Sequence, residues 1–181
     1  MAVTANTKFG IKEVADVEFY LITNGAPASS PSLTFDTLKV SNLEFTSEEA
    51  FARGGKGNVK LIAWDYNREA TLTLQDALLS METLAAIFGD KDPSSATTVE
   101  IGADTYAGYY KVIGKTYAKT TSGEQKVFTF EIPKAKISSN VTLTMEAEGD
   151  PTVFDITLTV LQEKGTDGEN LPLVILTLDE E

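Results

Sequence analysis

Three runs in the last third of the chain alternate apolar and polar residues with a period of two, and this pattern constrains the fold most. Phe128, Phe130 and Ile132 alternate with Thr129 and Glu131. Val141, Leu143, Met145 and Ala147 alternate with Thr142, Thr144, Glu146 and Glu148. Phe154, Ile156, Leu158 and Val160 alternate with Asp155, Thr157 and Thr159. Successive strand side chains point to opposite faces, so each run has one buried face and one Thr/acid face. That is an antiparallel sheet wetted on one side. Its apolar face must be covered, so the expected architecture is a mainly β fold: an antiparallel β-sandwich or partly closed β-barrel.

One stretch breaks the β pattern. From Leu74, apolar residues recur at Ala77, Leu78, Met81, Leu84, Ala85 and Phe88, the stripe of a half-buried helix, and Gly89 stops it. The spacing predicts one flanking helix over residues 76–88. Leu79, Ala86 and Ile87 fall off this stripe and are candidates for contact with a neighbouring subunit. Before the helix, 58–64 and 69–74 read as strands joined across Asp65-Tyr66-Asn67-Arg68 as a hairpin. Residues 47–58, SEEAFARGGKGN, read as a long flexible loop. Strands are also expected at 17–23, in two pieces within 33–46 parted at Ser41-Asn42, and at 99–101, 106–118 and 173–178. Residues 1–16 read as an N-terminal arm and 171–181 as a C-terminal segment, all within one domain of 181 residues.

Composition narrows the chemistry. The chain has no cysteine and no histidine, which excludes disulfide frameworks, thiolate metal sites, histidine-dependent triads and zincin motifs. A net charge of −12 disfavours tight nucleic-acid binding, which needs clustered Lys and Arg. No signal-peptide pattern opens the sequence, and no apolar run approaches a membrane span. With no cysteine in the chain, synthesis in a reducing cytoplasm is expected.

The local motifs read blandly. Gly54-Gly55-Lys56-Gly57 lacks the helix that a phosphate-binding loop requires after its lysine. Glu146 and Glu148 share a strand face about 7 Å apart, wider than a retaining glycosidase pair and flanked by threonine. Asp90 and Asp92 lack the glycine and distant glutamate of a calcium loop. No enzyme activity, cofactor or metal is expected. More informative is the sign of the outward face: Glu131, Glu146, Glu148 and Asp155 lie there without lysine among them. A face of one sign suits a surface that repels a polyanion.

Two stretches carry a family resemblance: GNVKLIAWDYNREATLTLQDALLSMETLAAIFG and VFTFEIPKAKISSNVTLTMEAEGDPTVFDITLTVL. They resemble the tail tube proteins of long-tailed bacteriophages, with a strand pair leading into a single helix. Strands follow with a pattern that falls here at Pro133, Lys136-Ile137, 141–150 and 154–158. The resemblance implies a structural virion protein whose inner sheet joins its neighbours in a hexameric ring. The rings stack into a tail tube, a conduit for DNA ejection with an acidic lumen. Glu131, Glu146, Glu148 and Asp155 then face the lumen, which DNA passes without sticking. Arg53, Gly54, Gly55, Lys56 and Gly57 form an inter-ring loop, and Leu79, Ala86 and Ile87 an intra-ring helix contact. The implied partners are the chain itself, a tail sheath or tape-measure protein, and the baseplate. Two other readings remain. One is a monomeric carbohydrate-binding β-sandwich using Trp64, Tyr66, Tyr109 and Tyr110. The other is a different phage-derived ring protein, such as a tail terminator or a type VI secretion tube.

Overall fold

The computed structural model describes residues 8–11, 16–76, 78, 80–89, 97–138, 154–165 and 167–180. The strands are β1 (Phe9–Ile11), β2 (Asp16–Thr23), β3 (Ala26–Pro27), β4 (Leu33–Phe35), β5 (Leu38–Gly54) and β6 (Val59–Asp76). After helix α1 (Met81–Phe88) come β7 (Tyr109–Thr120), β8 (Gln125–Ile137), β9 (Phe154–Val160) and β10 (Ile175–Glu180). The fold is mainly β and antiparallel with one short helix, as the alternation requires.

All ten strands among the described residues belong to one sheet, whose main path runs β3-β2-β7-β8-β9-β6-β5. Off this path, β4 pairs with β2, β1 with β7, and β10 with β8. Strand β8 organises the bend. Residues 126–131 pair with β10, whereas 135–137 pair with β9. Between them the ladder with β7 slips by one residue, from Val112↔Ile132 to Tyr110↔Ala135. The extra residue lies at Pro133-Lys134, and a proline without an N–H is tolerated at such a bulge. The sheet curls enough for one core to hold Val17, Phe19 and Phe35 together with Leu72, Leu74, Ile156 and Leu158. Fully burying each of those leucines contributes about 1.5–3 kcal/mol. The sheet is not closed into a barrel: β5 pairs with β6 and with neither β3 nor β4.

The helix is shorter than the spacing predicts. It begins at Met81, and Leu74 to Asp76 complete β6 instead. Asp76 ends the strand buried, where its Oδ1 accepts from Thr37 Oγ1 and from the Leu78 N–H at 3.4 Å. Ser80 then caps the helix by accepting from the Thr83 N–H at 3.0 Å. A stripe phased from a strand residue points the wrong way. Ala86 and Ile87, expected to touch a neighbour, are buried in the chain's own core at 2% and 3% exposure. Leu78 and Met81 are the exposed apolar residues at this helix's start, and Leu79 lies outside the described residues.

The long loop expected at 47–58 is strand for most of its length. Strand β5 runs unbroken through Ser41-Asn42 to Gly54, and only residues 55–58 turn. The hairpin turn expected at 65–68 is a bulge inside β6. There Thr46↔Glu69 is followed by Glu48↔Tyr66, with Asn67 at φ 50°. Residues 99–101 form no strand, β7 begins at Tyr109, and the last strand begins at Ile175. The run at 141–148 lies outside the described residues, while part of the arm forms β1 against β7.

Tyr110 gives the core an alkaline limit. Its ring packs 5.7 Å from that of Phe19, and burial pushes its phenol up to about 12 from 10.0. The neutral phenol is therefore favoured in the fold. Its contribution is intact below the unfolded value and is lost as pH rises from about 10 towards about 12, a loss of roughly 2–3 kcal/mol. Urea unfolding on both sides of that window should show the loss, and Tyr110→Phe should flatten it.

Candidate assembly interface

The β5–β6 hairpin outruns the sheet. Strand β9 pairs with β6 only over 71–76, so among the described residues 45–54 and 59–70 continue as a two-stranded ribbon. At about 3.3 Å per residue the ribbon extends roughly 35 Å past its last neighbour. Cross-strand pairs Glu48↔Tyr66, Ala50↔Trp64 and Ala52↔Ile62 put Tyr66, Trp64 and Ile62 on one face with Ala50 and Ala52. These three large side chains are 45%, 52% and 53% exposed. The opposite face carries Glu49, Phe51 and Arg53 with Asp65 and Lys60. A two-stranded ribbon without a third strand is at best marginally stable in water, and one with an uncovered apolar face is an aggregation hazard unless a partner covers it.

The tip is basic. Arg53, Lys56 and Lys60 cluster at the turn, with the Lys60 Nζ 3.5 Å from the Phe51 ring centroid and the Arg53 guanidinium 6.0 Å from it. Gly55 and Gly57 sit at φ 75° and 88°, and Asn58 at 50°, closing the turn with an Asn58 N–H bond to the Gly55 carbonyl of 3.2 Å. The expected inter-ring residues Arg53 to Gly57 are thus together at one exposed end.

The outward face of the sheet differs from the expectation of a single sign. Glu131 and Asp155 do point away from the core, but Lys111 on neighbouring β7 forms an ion pair of 2.8 Å with Glu131. Lys134 and Lys136 lie 5.1 and 5.8 Å from the Tyr109 ring on the same side. Asp155 accepts from Gln75 Nε2 at 3.0 Å. Lys111 comes from the neighbouring β7, whereas Lys134 and Lys136 lie on β8 itself, past the alternating run that ends at Ile132. Glu146 and Glu148 lie outside the described residues. The aromatic set proposed for sugar binding is divided: Tyr110 is buried, Tyr109 is on the sheet face, and Trp64 and Tyr66 are on the ribbon.

A cleft of about 210 Å³ opens on the same outward face, lined by Asp16, Glu18, Thr34, Asp36, Ile113 and Lys115. Glu18 accepts from the Tyr20 hydroxyl at 2.7 Å, which raises the Tyr20 pKa through that bond and the adjoining charge. Sequence reasoning missed Ala50, Ala52 and Ile62, and singled out Trp64 and Tyr66 for sugar binding rather than as one face of a ribbon with them. Residues 50–52 and 61–64 are continuous apolar runs, so no period-two signal separates the two faces of the ribbon.

Comparison with known proteins places this geometry. No curated protein matches the chain. Among solved structures, one chain of the six-fold symmetrised anti-feeding prophage baseplate is similar in fold, with a TM-score of 0.50 at 14% identity. The match covers 99% of this chain and 98% of that one. The model of the YomU/Tube protein family matches residues 9–91 and 90–171. Those spans take in nearly the whole sheet, the ribbon and the helix, and the chain belongs to the YomU/Tube protein family.

Proposed function

We propose that this chain is a structural tail protein that polymerises as stacked hexameric rings into a phage tail tube, a conduit for DNA ejection. The observation that carries the reading is the ribbon, which no further strand among the described residues supports and whose exposed Ile62, Trp64 and Tyr66 call for a covering surface. Family membership supports the tube assignment. Among the described residues β1 pairs only with β7 and β10 only with β8, so their other edges offer donors and acceptors for ring closure, with apolar Phe9, Ile11, Ile175 and Leu176 exposed beside them. In this reading the outward face with Glu131 and Asp155 lines the lumen. The tube is virion-borne and meets sheath or tape-measure and baseplate proteins at its wall and ends. The net charge of −12 keeps passing DNA from binding, while Lys111 is already neutralised by Glu131.

Negative-stain electron microscopy of the concentrated protein tests this. Rings or tubes with six-fold end views are expected. A monodisperse monomer at every concentration and salt would sink the proposal.

A further inference from the structure

Asn24-Gly25 is the one asparagine–glycine step in a chain of seven asparagines. It makes up the whole turn between β2 and β3, whose last cross-strand pair is Thr23↔Ala26. We propose that Asn24 is a site of spontaneous covalent modification, where the side-chain amide is exchanged for a carboxylate through a cyclic imide. The proposal is independent of the assembly proposed above.

The reaction needs the backbone nitrogen of the following residue. The Gly25 nitrogen gives up its proton and attacks the Asn24 side-chain carbonyl carbon. The new C–N bond closes a succinimide ring, the bond from that carbon to the amide nitrogen breaks, and ammonia leaves with the proton. Water then opens the ring. Opening at the side-chain carbonyl gives aspartate, and opening at the main-chain carbonyl gives isoaspartate. One water is consumed and one ammonia released, and nothing is oxidised or reduced.

The turn meets each requirement. Asn24 and Gly25 are both exposed, at φ 54° and 81°, as a two-residue hairpin loop of this type requires. Nothing lies within 4 Å of the Cβ position of Gly25, so solvent reaches its nitrogen. The ladder closes at Thr23↔Ala26, which leaves the Gly25 N–H outside it. Asn24 must rotate out of its left-handed conformation to bring the Gly25 nitrogen onto its side chain. Strand β3 has only two residues, ends the main path of the sheet, and pairs only with β2 among the described residues. A hairpin this short at a sheet edge opens locally at low cost.

The other asparagines lack one or more of these conditions. Asn58 also has a positive φ in an exposed turn, but β-branched Val59 crowds the nitrogen that would attack. Asn42 and Asn67 lie within β5 and β6, before Leu43 and Arg68. Asn170 is bridged to Lys164, and the N–H of the following Leu171 is bonded to the Glu163 carbonyl at 2.8 Å. Asn6 and Asn140 precede β-branched Thr7 and Val141. Each event at Asn24 adds a negative charge, and isoaspartate adds a methylene to a main chain that a two-residue loop must close. The pairs Thr23↔Ala26 and Ile22↔Pro27 should then open, while Val17 and Phe19 further along β2 stay in the core.

Incubating the folded protein at mildly alkaline pH, with peptide mapping by mass spectrometry over time, tests this. Tryptic peptide 13–39 holds Asn24 as its only asparagine. Its conversion from amide to acid should run at least ~tenfold faster than at any other asparagine, because only glycine leaves the attacking nitrogen uncrowded. The converted peptide should elute as two peaks of equal mass, aspartate and isoaspartate. Gly25→Ala should slow the conversion at least ~tenfold, since its methyl crowds the nitrogen. Thermal melting establishes that this variant is folded. A stable peptide 13–39, or another asparagine converting as fast, overturns the proposal. A single aspartate peak, or an unchanged rate in Gly25→Ala, rules out the imide and overturns it as well.

Discussion

Replacing residues 47–68 with an Asn-Gly turn is expected to give a folded chain that no longer assembles. Thr46 and Glu69 are cross-strand partners, so a two-residue turn can close the shortened hairpin. The removed residues contribute nothing to the core, whose β6 members Ala70, Leu72 and Leu74 all remain. The melting temperature should therefore stay close to that of the full chain. Assembly loses the burial of Ile62, Trp64 and Tyr66. Each is already about half-covered, so we assign ~1 kcal/mol apiece, roughly a hundredfold in association across one contact. Repeated over every contact of a polymer, that loss should abolish assembly at ordinary protein concentrations. Sedimentation velocity reads the result directly. Rings of normal stability from the shortened chain would show that the ribbon is not the joint.

The second large effect concerns the fold. Gly89 closes the helix at φ 82°, with its N–H bonded to the Ala85 carbonyl. A Cβ there would lie 2.2 Å from the Tyr106 carbonyl oxygen and 2.4 Å from its carbon. That neighbour is backbone and cannot swing aside. Gly89→Ala therefore combines the left-handed strain of a non-glycine residue with a clash that must displace the chain around Tyr106. A loss of about 2–4 kcal/mol is expected. Gly123, in the turn between β7 and β8, is the control. Its φ is 90°, but nothing lies within 4 Å of its Cβ position. Gly123→Ala should cost only the backbone term, about 1 kcal/mol. Equal losses at the two positions would mean that the Tyr106 contact contributes nothing.

The strands that were legible in the sequence are those with one wet and one dry face. Phe154 to Val160 was read correctly to the residue, because each side chain answers to one environment. The helix was misread at its start because Leu74 fits a 3.6-residue spacing as well as the strand alternation that it completes. The buried Asp76 and the Ser80 cap decide between them, and both act through contacts made only in the fold. The ribbon was read only in part, with 58–64 expected as a strand and 47–58 as a loop, for a different reason. Residues 47–58 have the glycines and mixed charges of a loop, and among the described residues no core supports their strand pairing. The acidic face failed in part because β7, which pairs with β8, sets Lys111 beside Glu131, and because β8 continues past Ile132 to Lys134 and Lys136. Local pattern reports what each strand buries; it does not report which strand lies next to it.

Trp64 allows the central claim to be tested without a label. It is the single tryptophan of the chain, it sits midway along the ribbon, and it is half-exposed in one copy. Its fluorescence should be followed through a concentration series while light scattering records particle mass. The account predicts that emission shifts to the blue and becomes protected from a soluble quencher at the concentration where rings or tubes appear. Assembly with Trp64 emission unchanged and still fully quenchable would contradict it.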